Sequence, residues 1–463
     1  MNDTVSIKTR RVKDFLNNEV KDFAKYVIET RSCPNIMDGM RVGARKCIWA
    51  ALTGDLKNKS KVKMIALLGD VMKLHYNHGD SSLMNTIVSL SSDYVFRYKP
   101  FEVIGQIGSL RETKCDTAPR YLTIKKSEYI DLFTTDKELL EIQEDEGEKT
   151  EPKYFLPLVP VVLLYRTNSP GYGFSFRSFA YTLDSVIDNC IHALNDESCQ
   201  DEEFRLIPDI EGINPKNLIF NANKNCWYNV GCYKIDEQQN TLTVTDLPYD
   251  IQLSKYEEHL QTLVEKGIIS KFVNLSIDGN IKYIIHFPYG RLRVIYNENK
   301  WKFFQTFKLF SKVSKDTLNC MDIDGRTILR FDSAYELIDL FVKRRLKFIS
   351  ARKTRTIRIL KEQIQELSEK ILFIQLVNDG KIVINKRPIA DIKKDLDKYK
   401  LPYEVLKLRI ERLTKEEIEK YNQEIIELKD YLDYIERTDE KTMYLNDLIE
   451  LKSKFCEIKK INK

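Results

Sequence analysis

No apolar run in this 463-residue chain approaches the length of a membrane span. The first residues, Met1-Asn2-Asp3-Thr4, form no apolar signal segment. Both absences lead to the expectation of a soluble, intracellular protein with no membrane partner. The nine cysteines are odd in number and scattered, with no C-x-x-C. That argues against a disulfide framework and against a zinc site of ordinary spacing, and it fits a reducing compartment. No G-x-x-x-x-G-K-[ST] loop is present, so an ATP phosphate cradle is not expected in this chain. Asp322-Ile323-Asp324-Gly325 comes nearest to a metal loop but lacks further ligands at calcium-loop spacing. It reads instead as a turn before a strand from Thr327 to Phe331, and no metal site is expected in this chain.

The length allows two to four domains with sizeable cores. The net charge of +5 is uneven: residues 1–130 carry 22 Lys+Arg against 14 Asp+Glu, so the basic surplus lies at the N-terminal end. A solvated surface explains such a surplus equally well when it stands alone. Beside a candidate nucleophile it favours a phosphate-backbone partner.

Residues 1–135 read as a compact helix-rich unit. Helices are expected over Val20 to Thr30, broken at Cys33-Pro34, and over Arg41 to Leu52, ended near Gly54. A third is expected over Val62 to His75 with Ile65, Leu68 and Met72 on one stripe. A fourth opens at His78-Gly79-Asp80-Ser81 with Leu83, Ile87 and Leu90 recurring. Strand-like pieces at Val103-Ile104 and Tyr121 to Ile124 complete a helix-turn-helix with a β-wing. Residues 136–153 read as an acidic, exposed connector, and the apolar run 155–164 as a buried strand with proline bends. To about residue 332 the pattern is mixed α+β, with strands at Thr241–Thr245 and Asn280–Phe287.

From Ser333 a long helix is expected, with Leu360, Ile364, Leu367 and Ile371 at heptad spacing. An interrupted segment at about 376–412 follows. Thr414-x-x-Glu417 then forms a capping box, and Ile418, Tyr421, Ile425, Leu428, Leu432 and Ile435 keep the heptad beat. Two such helices around an insert make residues 333–463 an antiparallel coiled coil with a knob at its far end.

The chemistry centres on Tyr121 in Asp116-Thr117-Ala118-Pro119-Arg120-Tyr121. It follows His75-Tyr76-Asn77-His78-Gly79-Asp80 and Gly105-Gln106-Ile107-Gly108-Ser109 in order. That ordered set points to a tyrosine that attacks a phosphodiester. A phenol has an unperturbed pKa of ~10 and needs help both to lose its proton and to neutralise the phosphoryl oxygens. Arg120 is adjacent, permanently charged and forked to suit phosphate. In strand geometry the two side chains would point to opposite faces.

These residues resemble the breakage–reunion region of type II DNA topoisomerases, including the separate A-type chains of bacterial gyrase and of bacteriophage split enzymes. Arg31-Ser32-Cys33-Pro34-Asn35-Ile36-Met37-Asp38-Gly39-Met40-Arg41 resembles the family's Arg-x-(Ile/Leu)-Pro-x-x-x-Asp-Gly-(Leu/Phe)-Lys, and Arg45-Lys46 occupies its basic pair. Tyr76 to Leu83 is similar to Tyr-His-His-Gly-Glu-x-Ser-Leu, with Asn77 replacing one histidine. Gly105 to Ser109 is similar to Gly-Gln-Phe-Gly-Thr, and Pro119-Arg120-Tyr121 to Pro-Arg-Tyr. Residues 151–160 resemble the wall leading to the tower.

The resemblance implies a multidomain α+β protein: a winged-helix DNA-gate domain (1–135), a connector and mixed α/β tower (136–332), and a coiled coil whose insert forms an exit-gate dimer contact. It implies Tyr121 as nucleophile and Arg120 as transition-state stabiliser. Arg31, Arg41, Arg45, Lys46, His78 and Ser109 would contact DNA. By register Tyr172 stands where the family places an isoleucine wedge, in an altered loop where packing beside a glycine-rich turn is an equal alternative. Partners implied are double-stranded DNA, a second copy of the chain, and a subunit holding ATP and magnesium. The expected outcome is relaxation and decatenation, since nothing resembles a wrapping domain. A tyrosine recombinase would need an Arg…His-x-x-Arg set, and His75-x-x-His78 lies too early for one. A non-catalytic, DNA-binding coiled-coil architectural protein accounts for the basic unit and long helices but not for Pro-Arg-Tyr in register with the other segments.

Overall fold

The computed structural model describes residues 10–112, 117–169, 173–195, 205–210, 213–224, 226–277, 280–313, 317–385 and 387–461. The chain divides into two compact units, 1–342 and 343–463. No helix among the described residues is long and apolar enough to cross a membrane.

The first unit opens with helical turns over residues 12–32, longer than the expected Val20 to Thr30. They stop at Cys33, which is extended (φ −91°, ψ 120°) because a residue before proline is driven out of the helical region. Helices Val42–Thr53, Met64–Met72 and Asp80–Ser91 follow. In the last, Leu83, Ile87 and Leu90 are buried as expected. The third expected helix is shorter than its pattern. Val62–Lys63 forms a strand, β1, and the helix ends before His75, which takes a left-handed φ of 56°. Its buried face is Met64, Leu67, Leu68 and Val71, whereas Ile65 and Met72 of the expected stripe are exposed. The buried set has the fuller i, i+3, i+4, i+7 spacing, one residue ahead of the stripe first read.

β1, β2 (Phe101–Ile104) and β3 (Thr123–Lys126) form an antiparallel sheet with β3 in the centre. Tyr121 is not part of β3. Residues 142–152, expected as an open connector, form a hairpin of β4 (Ile142–Asp145) and β5 (Glu148–Pro152). It reverses at Glu146 (φ 51°) and Gly147 (φ 83°), the two positive φ angles that match the twist of the flanking strands. The run 155–164 is buried, as its composition requires, but holds a 3₁₀ turn at Val161–Leu163 in place of the expected strand.

Further on, strands Tyr233–Asp236, Thr241–Val244, Lys271–Asn274 and Tyr283–His286 build a four-stranded antiparallel sheet. Helix Leu253–Glu265 and the pair Arg291–Glu298 and Lys300–Thr306 share its core through Tyr256, Leu260, Leu292, Phe303 and Phe307. Asp322–Gly325 is a turn: the Asp324 carboxylate accepts from the Arg326 and Thr327 amides and the Thr327 hydroxyl, which hold its pKa down to about 2.

Helix Ala334–Asn378 starts in the first unit and runs on into the second. In the second unit, Leu367, Ile371 and Ile374 pack with Tyr421 and Ile425 of the returning helix Lys415–Arg437. Ion pairs Lys361–Glu436 (2.8 Å) and Lys353–Glu440 (3.5 Å) show the two segments running antiparallel. Thr414 caps the return as its sequence indicated, accepting from the Glu417 amide at 3.2 Å. The return breaks at Thr438, and Asp439 caps a further helix, Glu440–Ile461. Between the long segments, Phe373, Leu376, Ile382, Ile392, Leu396, Leu401 and Val405 form a separate small core.

Candidate active site

Tyr121 sits in a tight turn just before β3. Its amide donates to Ala118 O (3.0 Å), and the Leu122 amide donates to Pro119 O (3.3 Å). Pro119, with its fixed φ, suits such a turn. Leu122 is fully buried, and its carbonyl accepts from Met64 N at 3.0 Å, tying the turn to the start of a helix. Gly105 makes room for Leu122: its φ is 132°, and a Cβ there would lie 2.5 Å from the leucine side chain. With Leu122 held inward, Tyr121 projects outward and is 67% exposed. The Arg120 guanidinium lies over its ring, 5.2 Å from the centroid. The turn therefore puts both side chains on one side, where strand geometry would have separated them.

Arg31 and His78 form a second cluster. Arg31 Nη2 lies 3.2 Å from His78 Nδ1. Since a guanidinium only donates, Nδ1 accepts, and the ring proton belongs on Nε2, which faces the Tyr26 hydroxyl at 3.5 Å. Tyr76 packs edge-on against the His78 ring, and Arg31 lies over the Tyr26 ring. Arg41 is exposed and donates to Arg31 O at 3.4 Å. Ser109 is exposed and closes a tight turn with Glu112, whose amide donates to the Ser109 hydroxyl. Tyr172 lies outside the described residues.

Arg45 and Lys46, expected to neutralise phosphates, are buried and paired. Arg45 Nε donates to Asp38 Oδ2 at 2.6 Å, and its Nη2 donates to Asp38 Oδ1 and Met40 O. Lys46 Nζ pairs with Glu151 Oε2 at 2.8 Å and donates to Leu74 O. Their charges are matched inside the protein, and their position makes them scaffold.

Asp38 is the hub of that scaffold. It is fully buried and also accepts from the Met40 amide (2.9 Å) and the Phe155 amide (3.1 Å). Gly39 follows at φ 65°, and a Cβ there would lie 2.4 Å from Val162 N. The Tyr165 hydroxyl donates to Gly39 O, and burial raises the pKa of that phenol. Asn35 pairs with Met321 as a parallel bridge, with Ile36 N donating to Met321 O at 2.8 Å. The Pro-x-x-x-Asp-Gly pattern is thus a structural clamp. Gly39→Ala should cost about 2–4 kcal/mol, the sum of left-handed strain and overlap with backbone. A denaturant melt would show it, and a cost under about 1 kcal/mol would contradict the clamp.

Tyr26 carried no sequence signal, because an aromatic in a helical stretch is ordinarily core. Arg111, half-buried against residues 246–251, carried none either.

The outward Tyr121 and the guanidinium over its ring thus stand beside a small sheet and three packed helices. In fold the chain is similar to the topoisomerase II DNA-binding, cleavage and re-ligation domain of Plasmodium falciparum. The TM-score is 0.81 at 24% identity, covering 96% of this chain and 65% of that one. The family model for the A subunit of DNA gyrase/topoisomerase IV matches residues 31–452, and the chain belongs to that family. The mitochondrial DNA topoisomerase 2 of Dictyostelium discoideum is 27% identical over 96% of this chain, and the DNA topoisomerase 2 of Plasmodium falciparum is 28% identical over 90%. The chain spans only 35% and 29% of those two relatives.

Proposed function

We propose that this chain is the DNA cleavage and religation component of an ATP-dependent type II topoisomerase. The observation that carries the reading is the exposed Tyr121 hydroxyl on a ring covered by the Arg120 guanidinium. In the proposed step the Tyr121 oxygen bonds to a backbone phosphorus, the phenol proton leaves, and the bond to the 3′-oxygen breaks. The products are a 5′-phosphotyrosyl ester and a free 3′-hydroxyl. The ester keeps the phosphodiester bond energy, so the reverse attack reseals the strand without a new cofactor. Arg120 places positive charge where the phosphoryl oxygens gain negative charge. Arg31, Arg41 and His78 serve the DNA backbone, as does Ser109, and Arg45 and Lys46 hold the scaffold.

In this reading residues 1–135 are a winged-helix DNA gate and 136–332 a tower. Residues 333–463 are an antiparallel coiled coil whose insert (about 376–412) meets its copy as an exit gate. Two copies cut both strands and pass a second duplex, giving relaxation and decatenation. The side chain stacked on Tyr121 is cationic, and among the described residues no three His, Cys, Asp or Glu side chains converge. In this reading magnesium and ATP are both held by a separate partner chain.

The helix pair Arg291–Glu298 and Lys300–Thr306 supports a DNA partner. Arg291, Arg293, Lys300 and Lys302 are exposed and form no ion pair among the described residues, beside the fully exposed Tyr289. Charge-reversing Arg291 and Arg293 together should weaken duplex binding uniformly across sequences and flatten the plot of log K against log salt by about two. An unchanged slope would remove this face from the contact.

The test of the main reading mixes the chain with its complementary ATPase partner, magnesium and supercoiled plasmid, then adds denaturant. Protein-linked linear DNA is expected. Intact plasmid, with DNA binding retained and the partner active, would refute the assignment.

A further inference from the structure

Tyr26 stands before residue 31, where the family match begins, yet it meets two of the residues assigned to the DNA backbone. It lies on the helix Lys21–Val27. Arg31 lies on the widened turn Ile28–Ser32, where the Cys33 amide donates five residues back to Ile28 O at 3.2 Å. In an ordinary helix, residues five apart point roughly 140° away from each other. The wider turn swings Arg31 back, and its guanidinium lies over the Tyr26 ring, 5.6 Å from the centroid. His78 meets both side chains: Nδ1 lies 3.2 Å from Arg31 Nη2, and Nε2 lies 3.5 Å from the Tyr26 hydroxyl. Tyr76 meets the imidazole edge-on at 5.2 Å.

Arg31 fixes the donors and acceptors of this cluster. A guanidinium only donates, so it fills Nδ1, and the ring proton sits on Nε2. That proton is directed at the Tyr26 oxygen, which leaves the phenol O–H as the donor not used within the cluster. The Tyr26 ring is 41% exposed, and Arg31 has no carboxylate partner among the described residues. Each bond in such a chain polarises the next and strengthens the last donor. An acceptor there must bring negative charge to Arg31 and carry no proton of its own, as a phosphodiester oxygen does. From this geometry we infer that Tyr26 is a further DNA-backbone residue. Its hydroxyl, oriented by His78, donates to a phosphate that Arg31 also holds.

This role rests on the proposed duplex partner, and the test separates the two. The full-length chain is prepared as wild type, Tyr26→Phe, Tyr26→Leu and Arg31→Met, and Kd for a duplex is measured across a salt series. No duplex binding by wild type would sink the partner itself. The phenol is neutral and displaces no counterion, so Tyr26→Phe should weaken binding about tenfold at every salt concentration, with the slope of log K against log salt unchanged. Arg31→Met should flatten that slope by about 0.9. Tyr26→Leu also removes the ring beneath Arg31, so it should combine the loss of affinity with part of the flattening. Nitrogen NMR of the imidazoles, assigned with His78→Gln, should place the His78 proton on Nε2. Wild-type affinity in Tyr26→Phe overturns the inference. So does a flatter slope in that variant, which would reduce Tyr26 to a support for Arg31, and so does a His78 ring protonated on Nδ1 alone. Tyr26→Phe takes one hydroxyl from an exposed ring, so the fold survives it, and if Tyr26→Leu does not fold, Tyr26→Phe decides.

Discussion

Tyr121→Phe should abolish covalent DNA cleavage, by on the order of 10⁴-fold or more, while leaving duplex affinity and thermal stability where they were. The substitution deletes one hydroxyl from a ring that is 67% exposed. No cavity opens, and surface changes of this kind stay within about 0.5 kcal/mol. The stacking of Arg120 on the ring survives, since phenylalanine presents the same π face. Only the proposed attacking oxygen is lost. The informative measurement is trapped cleaved plasmid beside duplex binding for both proteins with the same ATPase partner. Cleavage at the wild-type level in Tyr121→Phe would move the nucleophile elsewhere. Arg120→Ala should retain the nucleophile and lose about 10²–10³-fold, the usual worth of one charge-stabilising donor.

Tyr121 stood out in the sequence because the proposed chemistry demands one residue type within an order of short segments, and such an order is readable without any knowledge of packing. Its relation to Arg120 was not legible. A strand assigned one or two residues too early sends adjacent side chains apart, and the Ala118-Pro119 turn that keeps them together is decided by where Leu122 is buried. The fate of Arg45 and Lys46 was hidden for a similar reason. Basic residues beside a DNA-directed motif look like phosphate contacts until their partners are known, and Glu151 is brought to Lys46 from a distant hairpin. That hairpin carried a local signal in Glu146-Gly147, masked by the density of acids around it. The long helices and the Thr414 cap came through because heptad spacing and capping chemistry are local. The Met64–Met72 helix failed in its facing because two adjacent stripes both repeat, and only contact with the rest of the unit chooses between them.

Asp38→Ala should be the most destabilising single change in the N-terminal unit, because it leaves Arg45 charged, buried and unmatched. Asp38 is 0% and Arg45 4% exposed, and the pair is joined at Nε–Oδ2 2.6 Å with a second bond at 3.2 Å. Removing one partner of such a pair costs about 3–5 kcal/mol, chiefly through the orphaned charge. The amides of Met40 and Phe155 lose their acceptor at the same time. If the cost lies in the orphan charge, Asp38→Ala combined with Arg45→Met should be more stable than Asp38→Ala alone, by about 1–3 kcal/mol. Urea melts of the wild type, both single variants and the double variant measure this directly. A double variant no more stable than Asp38→Ala would place the cost in the lost backbone acceptors instead. Arg45→Met alone should leave the salt dependence of duplex binding unchanged while lowering the melting midpoint, because its charge is engaged with Asp38 and not with phosphate. A flatter salt slope in that variant would return Arg45 to the DNA surface.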